Sequence, residues 1–360
     1  MTTSAQQSIE RAIGVAGLVL LAVALWLASD IVLIFVGALL VAVLLEVVAE
    51  PFRWMRLPRG LALLLSGALI ICILVQVGYL FGTAIAPQLQ DVVSRVQEAQ
   101  TYLMRLLQSS EVGRLALSRM RGADLPITEI FGRLFTLSAN VALGLVVVVF
   151  GGIYLAAQPA LYRAGFSKLF PRERRTEVDE AIDSVARALR LWLLGQLLEM
   201  AIIGVMSGVA VWLIGLPSPL ALGAIAGVAE FVPYLGPIVA AVPALLVAVT
   251  LSPAVVLWTF VAYLGIHQAE GQLIMPLIQR RMVFIPPAVM LLSIVAIGSA
   301  FGLTGAIFAA PITVMLFVLV SKLYVRDALG EDAPLPGEPI DGAPGEAKAA
   351  ARRSGEGIVS

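Results

Sequence analysis

Runs of about twenty apolar residues constrain this chain more than any other feature, because a helix needs that length to cross the hydrocarbon core of a bilayer. Five such runs precede residue 215, at 12–28, 31–49, 61–82, 141–157 and 191–214. Lipid offers no hydrogen-bond partners, so every backbone amide within them must be paired inside the chain, and the runs predict helices. Three further apolar regions follow: 220–251, 254–275 and 287–320. The first is interrupted by Pro233-Tyr234-Leu235-Gly236-Pro237 and the last around Phe301-Gly302-Leu303-Thr304-Gly305. The chain reads as an all-α polytopic membrane protein with about eight transmembrane helices, some of them broken or re-entrant hairpins.

Composition agrees and excludes other classes. Residues of the apolar set make up 60% and charged residues only 13%, with a mean hydropathy of +0.96, well outside the range of a soluble domain. Lys plus Arg equals Asp plus Glu at 24 each, so no basic excess exists to hold a nucleic acid. The partners to expect are the lipid bilayer, a small polar solute or monovalent cation, and further copies of the same chain. A single cysteine, Cys72, and a single histidine, His267, cannot build a structural zinc site or a disulfide within one chain. No Gly-x-Ser-x-Gly elbow, His-Glu-x-x-His pair or Walker loop occurs, so neither an enzyme nor a bound cofactor is predicted. The run at 12–28 lacks a small-residue cleavage pattern and is followed at once by a second run, so it reads as a first span rather than a cleaved signal.

Short basic connectors set the orientation. Arg53, Arg56 and Arg59, then Lys168, Arg172, Arg174, Arg175, Arg187 and Arg190, then Arg280 and Arg281, and finally Lys322 and Arg326 are assigned to the cytoplasm. Both termini are then cytoplasmic, provided each broken region leaves the membrane on the side it entered. The chain divides into spans 1–3 at 1–86, an extramembrane insertion at 87–140, a transmembrane region at 141–329 with broken hairpins near 220–251 and 287–320, and a tail at 330–360. The insertion repeats Leu89, Val92, Val93, Val96, Leu103, Leu106 and Leu107 at threes and fours, the period of an amphipathic helix, and its apolar face is expected against the spans. A polar stretch, 159–190, joins spans four and five and reads as helical from Arg172 with a solvated charged face. The tail is rich in Pro, Gly and acidic residues and is expected to be disordered.

The two broken regions resemble each other. Leu235-Gly236-Pro237-Ile238-Val239-Ala240-Ala241-Val242-Pro243 aligns with Thr304-Gly305-Ala306-Ile307-Phe308-Ala309-Ala310-Pro311 through one gap, and prolines precede both, Pro217 and Pro219 in one case and Pro286 and Pro287 in the other. By the basic-connector rule the first starts outside and the second inside, as inverted repeats do.

Ionisable groups at membrane depth carry the functional reading, since each costs about 2.5–3.5 kcal/mol at a helix centre and so faces protein or water. The candidates are Glu199, nine residues into its span, Glu230 beside the Pro233–Pro237 break, and Glu270 between Gln268 and Gln272. Gln196 lies one turn before Glu199 on the same face, and His267 near Glu270 could pass protons. Glu46 and Glu50 sit near an inner helix end, where snorkelling explains them. At the first break Pro233 and Pro237 lack amide donors and Gly236 permits unusual backbone angles, which frees carbonyls to meet a cation or a hydroxylated solute. Gly302 and Gly305 mark the second break, which is expected to meet the first near the midplane.

Taken in order, Glu230-Phe231-Val232-Pro233-Tyr234-Leu235-Gly236-Pro237 with Pro243, Glu270 through Leu273-Ile274-Met275-Pro276, and Gly298 with Phe301-Gly302-Leu303-Thr304-Gly305 and Ala309-Ala310-Pro311 resemble the autoinducer-2 exporter family of bacterial inner-membrane proteins. The resemblance spans about Ala12 to Arg326. It implies a multi-spanning permease, with some members linked to export of autoinducer-2 and others to exchange of sodium or lithium for protons. The function expected is secondary transport of a small polar solute coupled to an ion gradient, with Glu230 and Glu270 binding the cation or proton and Gln268 or Gln272 contacting the solute. The alternatives are a Na⁺(Li⁺)/H⁺ antiporter moving no organic molecule and a membrane scaffold without transport.

Overall fold

The computed structural model describes residues 29–109, 139–275 and 285–331. The expected span at 12–28, the insertion beyond residue 109 and nearly all of the tail at 330–360 lie outside the described residues. Every regular element among the described residues is helical.

Helix α1 (Ser29–Trp54) begins with Asp30 in its first turn and ends with Arg53 in its last, each charge opposing the adjacent end of the helix dipole. After a short corner, α2 (Arg59–Leu80) packs back along it with Ala62 and Ser66 fully buried, while Leu64, Ile71 and Val75 stay exposed. An apolar outward face of this kind suits lipid. No loop separates α2 from the insertion: a π turn, Phe81–Ile85, leads directly into α3 (Ala86–Ser109). Leu89, Val92 and Val96 of α3 are buried against the spans, as the periodicity predicts, whereas Tyr102, Met104 and Leu106 are exposed. Helix α4 (Ala139–Ala157) lies so close to α1 that a Cβ on Gly152 would fall 2.8 Å from the Ala38 carbonyl oxygen. At Gln158 the chain bends by 88° into the short α5 (Pro159–Ser167).

Helix α6 (Arg175–Ile214) is 40 residues long and forms the axis of the molecule. Its first part is polar. From Arg190 to Ile214 it runs about 36 Å, enough to cross a hydrocarbon core of about 30 Å. Gly215, at φ 86°, ends it in the left-handed conformation.

Two helical hairpins surround α6. The first consists of α7 (Pro219–Ala229), a turn at 230–235 and α8 (Gly236–Val249). With 11 residues α7 is about 16 Å long, half a bilayer. Its backbone touches that of α6: a Cβ on Gly223 would sit 2.7 Å from the Gly204 oxygen and 2.9 Å from the Gly208 Cα, and one on Gly227 would sit 2.8 Å from the Met200 oxygen. Helix α9 (Pro253–Ala269) starts at Ser252, whose hydroxyl accepts from the Val255 amide, and runs on as a π turn, Glu270–Ile274. The second hairpin is α10 (Pro287–Leu319), continued by the π turn Val320–Arg326.

By length and composition three helical stretches among the described residues could each cross a membrane, Asp30–Trp54, Arg172–Ile214 and Pro287–Arg326, with the bent pair Gly144–Ala157 and Pro159–Ser167 as a fourth. The stretch Pro287–Arg326 nevertheless folds back on itself. Gly302 has φ 67° and ψ −154°, and a Cβ on Gly298 would lie 3.3 Å from the Ala306 Cβ. In an uninterrupted helix residues eight apart are separated by about 12 Å along the axis.

The hairpins approach α6 from opposite ends. Where the first begins, the Gln88 side-chain oxygen accepts from the Leu220 and Ala221 amides at 3.1 and 3.3 Å, and the Ser218 hydroxyl donates to Asp91 at 2.9 Å. Where the second ends, Lys322 donates to Glu180 at 2.9 Å and to Asp327 at 3.0 Å, at the charged end that also pairs Arg190 with Glu50 and Arg53 with Glu46. Glu46 and Glu50 are part-exposed and paired with arginines at this end.

The glycine contact between α6 and α7 leaves no room for a side chain. Gly223→Val is expected to destabilise the protein by about 1–3 kcal/mol, read as a lowered melting temperature in detergent. Gly265→Ala, where a Cβ meets open space within a helix, should not lower it and is expected to raise it slightly.

Candidate functional site

Burial selects three acids from the transmembrane region. Glu230 is 1% exposed and Glu199 and Glu270 are each 9% exposed. They come from separate elements: Glu199 from α6, Glu230 from the first residue of the hairpin turn, and Glu270 from the π turn that extends α9. Glu230 interacts electrostatically with both Glu270 and Glu199, which places the three acids near one another. The Nδ1 of His267 lies 2.8 Å from the Glu270 Oε2, so a histidine and a carboxyl are paired at the edge of this group.

The hairpin turn is built to hold this group. Helix α7 ends at Glu230 with carbonyls that need partners. The Ala226, Val228 and Ala229 oxygens accept from the amides of Glu230, Phe231 and Val232, and the Glu230 oxygen accepts from the Gln196 side chain at 2.8 Å. Tyr234 then takes φ 65°, a left-handed angle that costs a non-glycine residue energy and that recurs where function requires it. Gly236 restarts the helix against the end of α7, where a Cβ would strike the Ala229 oxygen at 2.7 Å. Phe231 meets Trp192 edge-on, with ring centroids 5.9 Å apart.

Four buried polar atoms have no hydrogen-bond partner among the described residues: Glu199 Oε1, Glu230 Oε2, and the hydroxyl oxygens of Ser207 and Tyr263. Buried polar atoms of this kind ordinarily find one. Ser207 lies eight residues beyond Glu199 on α6, about 80° round the helix from it, and Tyr263 seven residues before Glu270 on α9, on nearly the same side. The sequence held a signal for Tyr263 in that spacing of seven.

Other expected residues stand apart. Gln268 and Gln272 are exposed while Glu270 is buried, because two residues along a helix is a rotation of about 200°. Pro233 and Pro237 are half-buried in and after the turn, and Gly305 is buried where its own hairpin closes, a Cβ there meeting the Ile297 oxygen at 2.6 Å. Gly302 is exposed at the tip with nothing within 4 Å of an added Cβ. The expected meeting of the two breaks near the midplane gives way to a different arrangement. The first turn, through Phe231, Val232 and Tyr234, packs on the cluster that holds Ile294, Ala309 and Val314 of the second hairpin. It lies level with Trp192 and Gln196, within about 9 Å of Arg190 along α6. Among the described residues no three His, Cys, Asp or Glu side chains are arranged to hold a metal ion.

Gln196→Leu is expected to leave the buried Glu230 carbonyl unpaired and to cost about 1–3 kcal/mol, measured as a drop in melting temperature.

The family described as AI-2E family transporter matches residues 16–324 of the chain. YrrI of Bacillus subtilis (strain 168) is 38% identical over 152 residues, 42% of this chain and 43% of that protein. YueF of the same organism is 25% identical over 302 residues, covering 77% of this chain and 82% of its own length. The AI-2 transport protein TqsA of Escherichia coli (strain K12) is 24% identical over 309 residues, 82% of this chain and 87% of TqsA.

Proposed function

We propose that this chain, which belongs to the AI-2E transporter family, exports a small polar solute by secondary transport coupled to protons. Family membership makes it a membrane transporter. The proton coupling rests on one observation, three buried acids from separate elements with the Nδ1 of His267 2.8 Å from the Glu270 Oε2. An imidazole and a carboxyl at that distance can exchange a proton. His267, part-exposed, passes that proton on, and Glu199 with Ser207 and Tyr263 lines the route taken by solute or water. A polar solute with hydroxyls suits these partnerless atoms, and the printed name of TqsA, an AI-2 transport protein, supports the same class of solute.

The topology that goes with this reading has five full crossings among the described residues, by α1, α2, α4, α6 and α9, the apolar run at 12–28 read from sequence as a sixth, and two re-entrant hairpins that enter from opposite faces. The basic end carrying Arg53, Arg59, Arg190 and Lys322 faces the cytoplasm of a bacterium with the protein in its inner membrane, and both termini are cytoplasmic.

In proteoliposomes with an imposed pH gradient, solute flux should fall at least about tenfold for Glu230→Gln and for Glu270→Gln, with melting temperatures near that of the parent. Unchanged flux in both variants would remove the proposed site. A sodium-dependent pH change with no solute movement would favour cation exchange instead.

A further inference from the structure

We infer that α5 is an interfacial helix whose outer face rests in the headgroup layer of the membrane and that the basic residues after it hold anionic phospholipid headgroups. This goes beyond the transport reading and does not depend on which solute moves.

The bend of 88° between Gly144–Ala157 and Pro159–Ser167 turns α5 into the plane of the bilayer if α4 crosses it. The helix has two distinct sides. Arg163 and Ser167 face the protein: Arg163 is paired with Asp179 at 3.1 Å and with Asp183 at 2.5 Å, and the Ser167 hydroxyl donates to Asp179 at 2.6 Å. These bonds fix α5 against the polar part of α6. The other side presents Leu161, Tyr162 and Phe166, and Leu169 and Phe170 follow it, all exposed, with Phe166 and Phe170 rings 5.5 Å apart. This apolar face continues the exposed face of α4 formed by Phe150, Ile153 and Tyr154.

Position and charge identify the occupant as lipid. The exposed Trp54 lies at the nearby α1–α2 corner, where Arg59 reaches toward the Ala156 carbonyl at the end of α4. Amphipathic aromatic side chains gather at headgroup depth. Beyond α5, Lys168, Arg172 and Arg174 are exposed and form no ion pair among the described residues, with Glu173 and Glu177 as the acidic neighbours. A helix apolar on one side and flanked by cations binds an anionic bilayer surface.

The test uses the full chain with Cys72→Ala, which removes the exposed native thiol, and Gly165→Cys, a position with open space on the outer side. The new thiol carries an environment-sensitive fluorophore, and the protein is placed in nanodiscs of phosphatidylglycerol or phosphatidylcholine. Brominated acyl chains are expected to quench roughly half or more of the signal in phosphatidylglycerol and aqueous iodide little of it. Replacing Lys168, Arg172 and Arg174 together by Gln should lower that quenching to the value in phosphatidylcholine. Quenching by iodide but not by bromolipid would put the face in water. Quenching by neither would place it under protein, such as a second copy of the chain. Either result overturns the proposal.

Discussion

Three carboxyl groups removed from water inside a chain otherwise surrounded by lipid are the constraint from which the rest of the arrangement follows. Such groups persist only with polar company, and here it consists of the His267 ring, 2.8 Å from Glu270, and of the acids' electrostatic interaction with one another. Bringing one acid from each of three elements to one place requires a chain segment that stops within the apolar layer. The turn at 230–235 is that segment. Its free carbonyls are covered by Gln196 and by the turn's own amides, which is how irregular backbone survives away from water.

Helix α6 makes the turn possible. Paired glycines four apart, Gly204 with Gly208 and Gly223 with Gly227, let α7 approach until backbones touch, the packing of small residues common between helices in lipid. The close approach sets the depth at which Glu230 meets Glu199, and it explains why the acids lie nearer the basic end than halfway across.

Much of this could be read from the residues. Among the described residues the apolar runs gave helices whose bounds agree within about five positions, except that the helix holding 191–214 begins at Arg175, and prolines with Gly236 and Gly302 marked both breaks. The three acids were recognisable because the apolar stretches around them contain few other charges. Depth and sidedness were harder. Gln268 and Gln272 were paired with Glu270 by adjacency, although two steps along a helix point a side chain to the opposite face. Tyr263 and Ser207 were hidden among apolar neighbours, though the spacing of Tyr263 from Glu270 carried information. Charge counting along connectors is blind to whether a broken region turns back or crosses twice, because either leaves the next connector on the same side. The glycine distances within α10 show that this segment folds back at Gly302, and nothing in 81–85 announces a π turn.

The hairpins have an evolutionary consequence. A unit that departs by the face through which it arrived leaves the handedness of everything downstream untouched. Such a unit can be inserted, duplicated or lost in one genetic event while the remaining helices keep their sidedness, whereas gain or loss of a single crossing turns the rest of the protein over. Parts carried on hairpins of this kind are therefore the parts of such a protein most open to exchange among descendants.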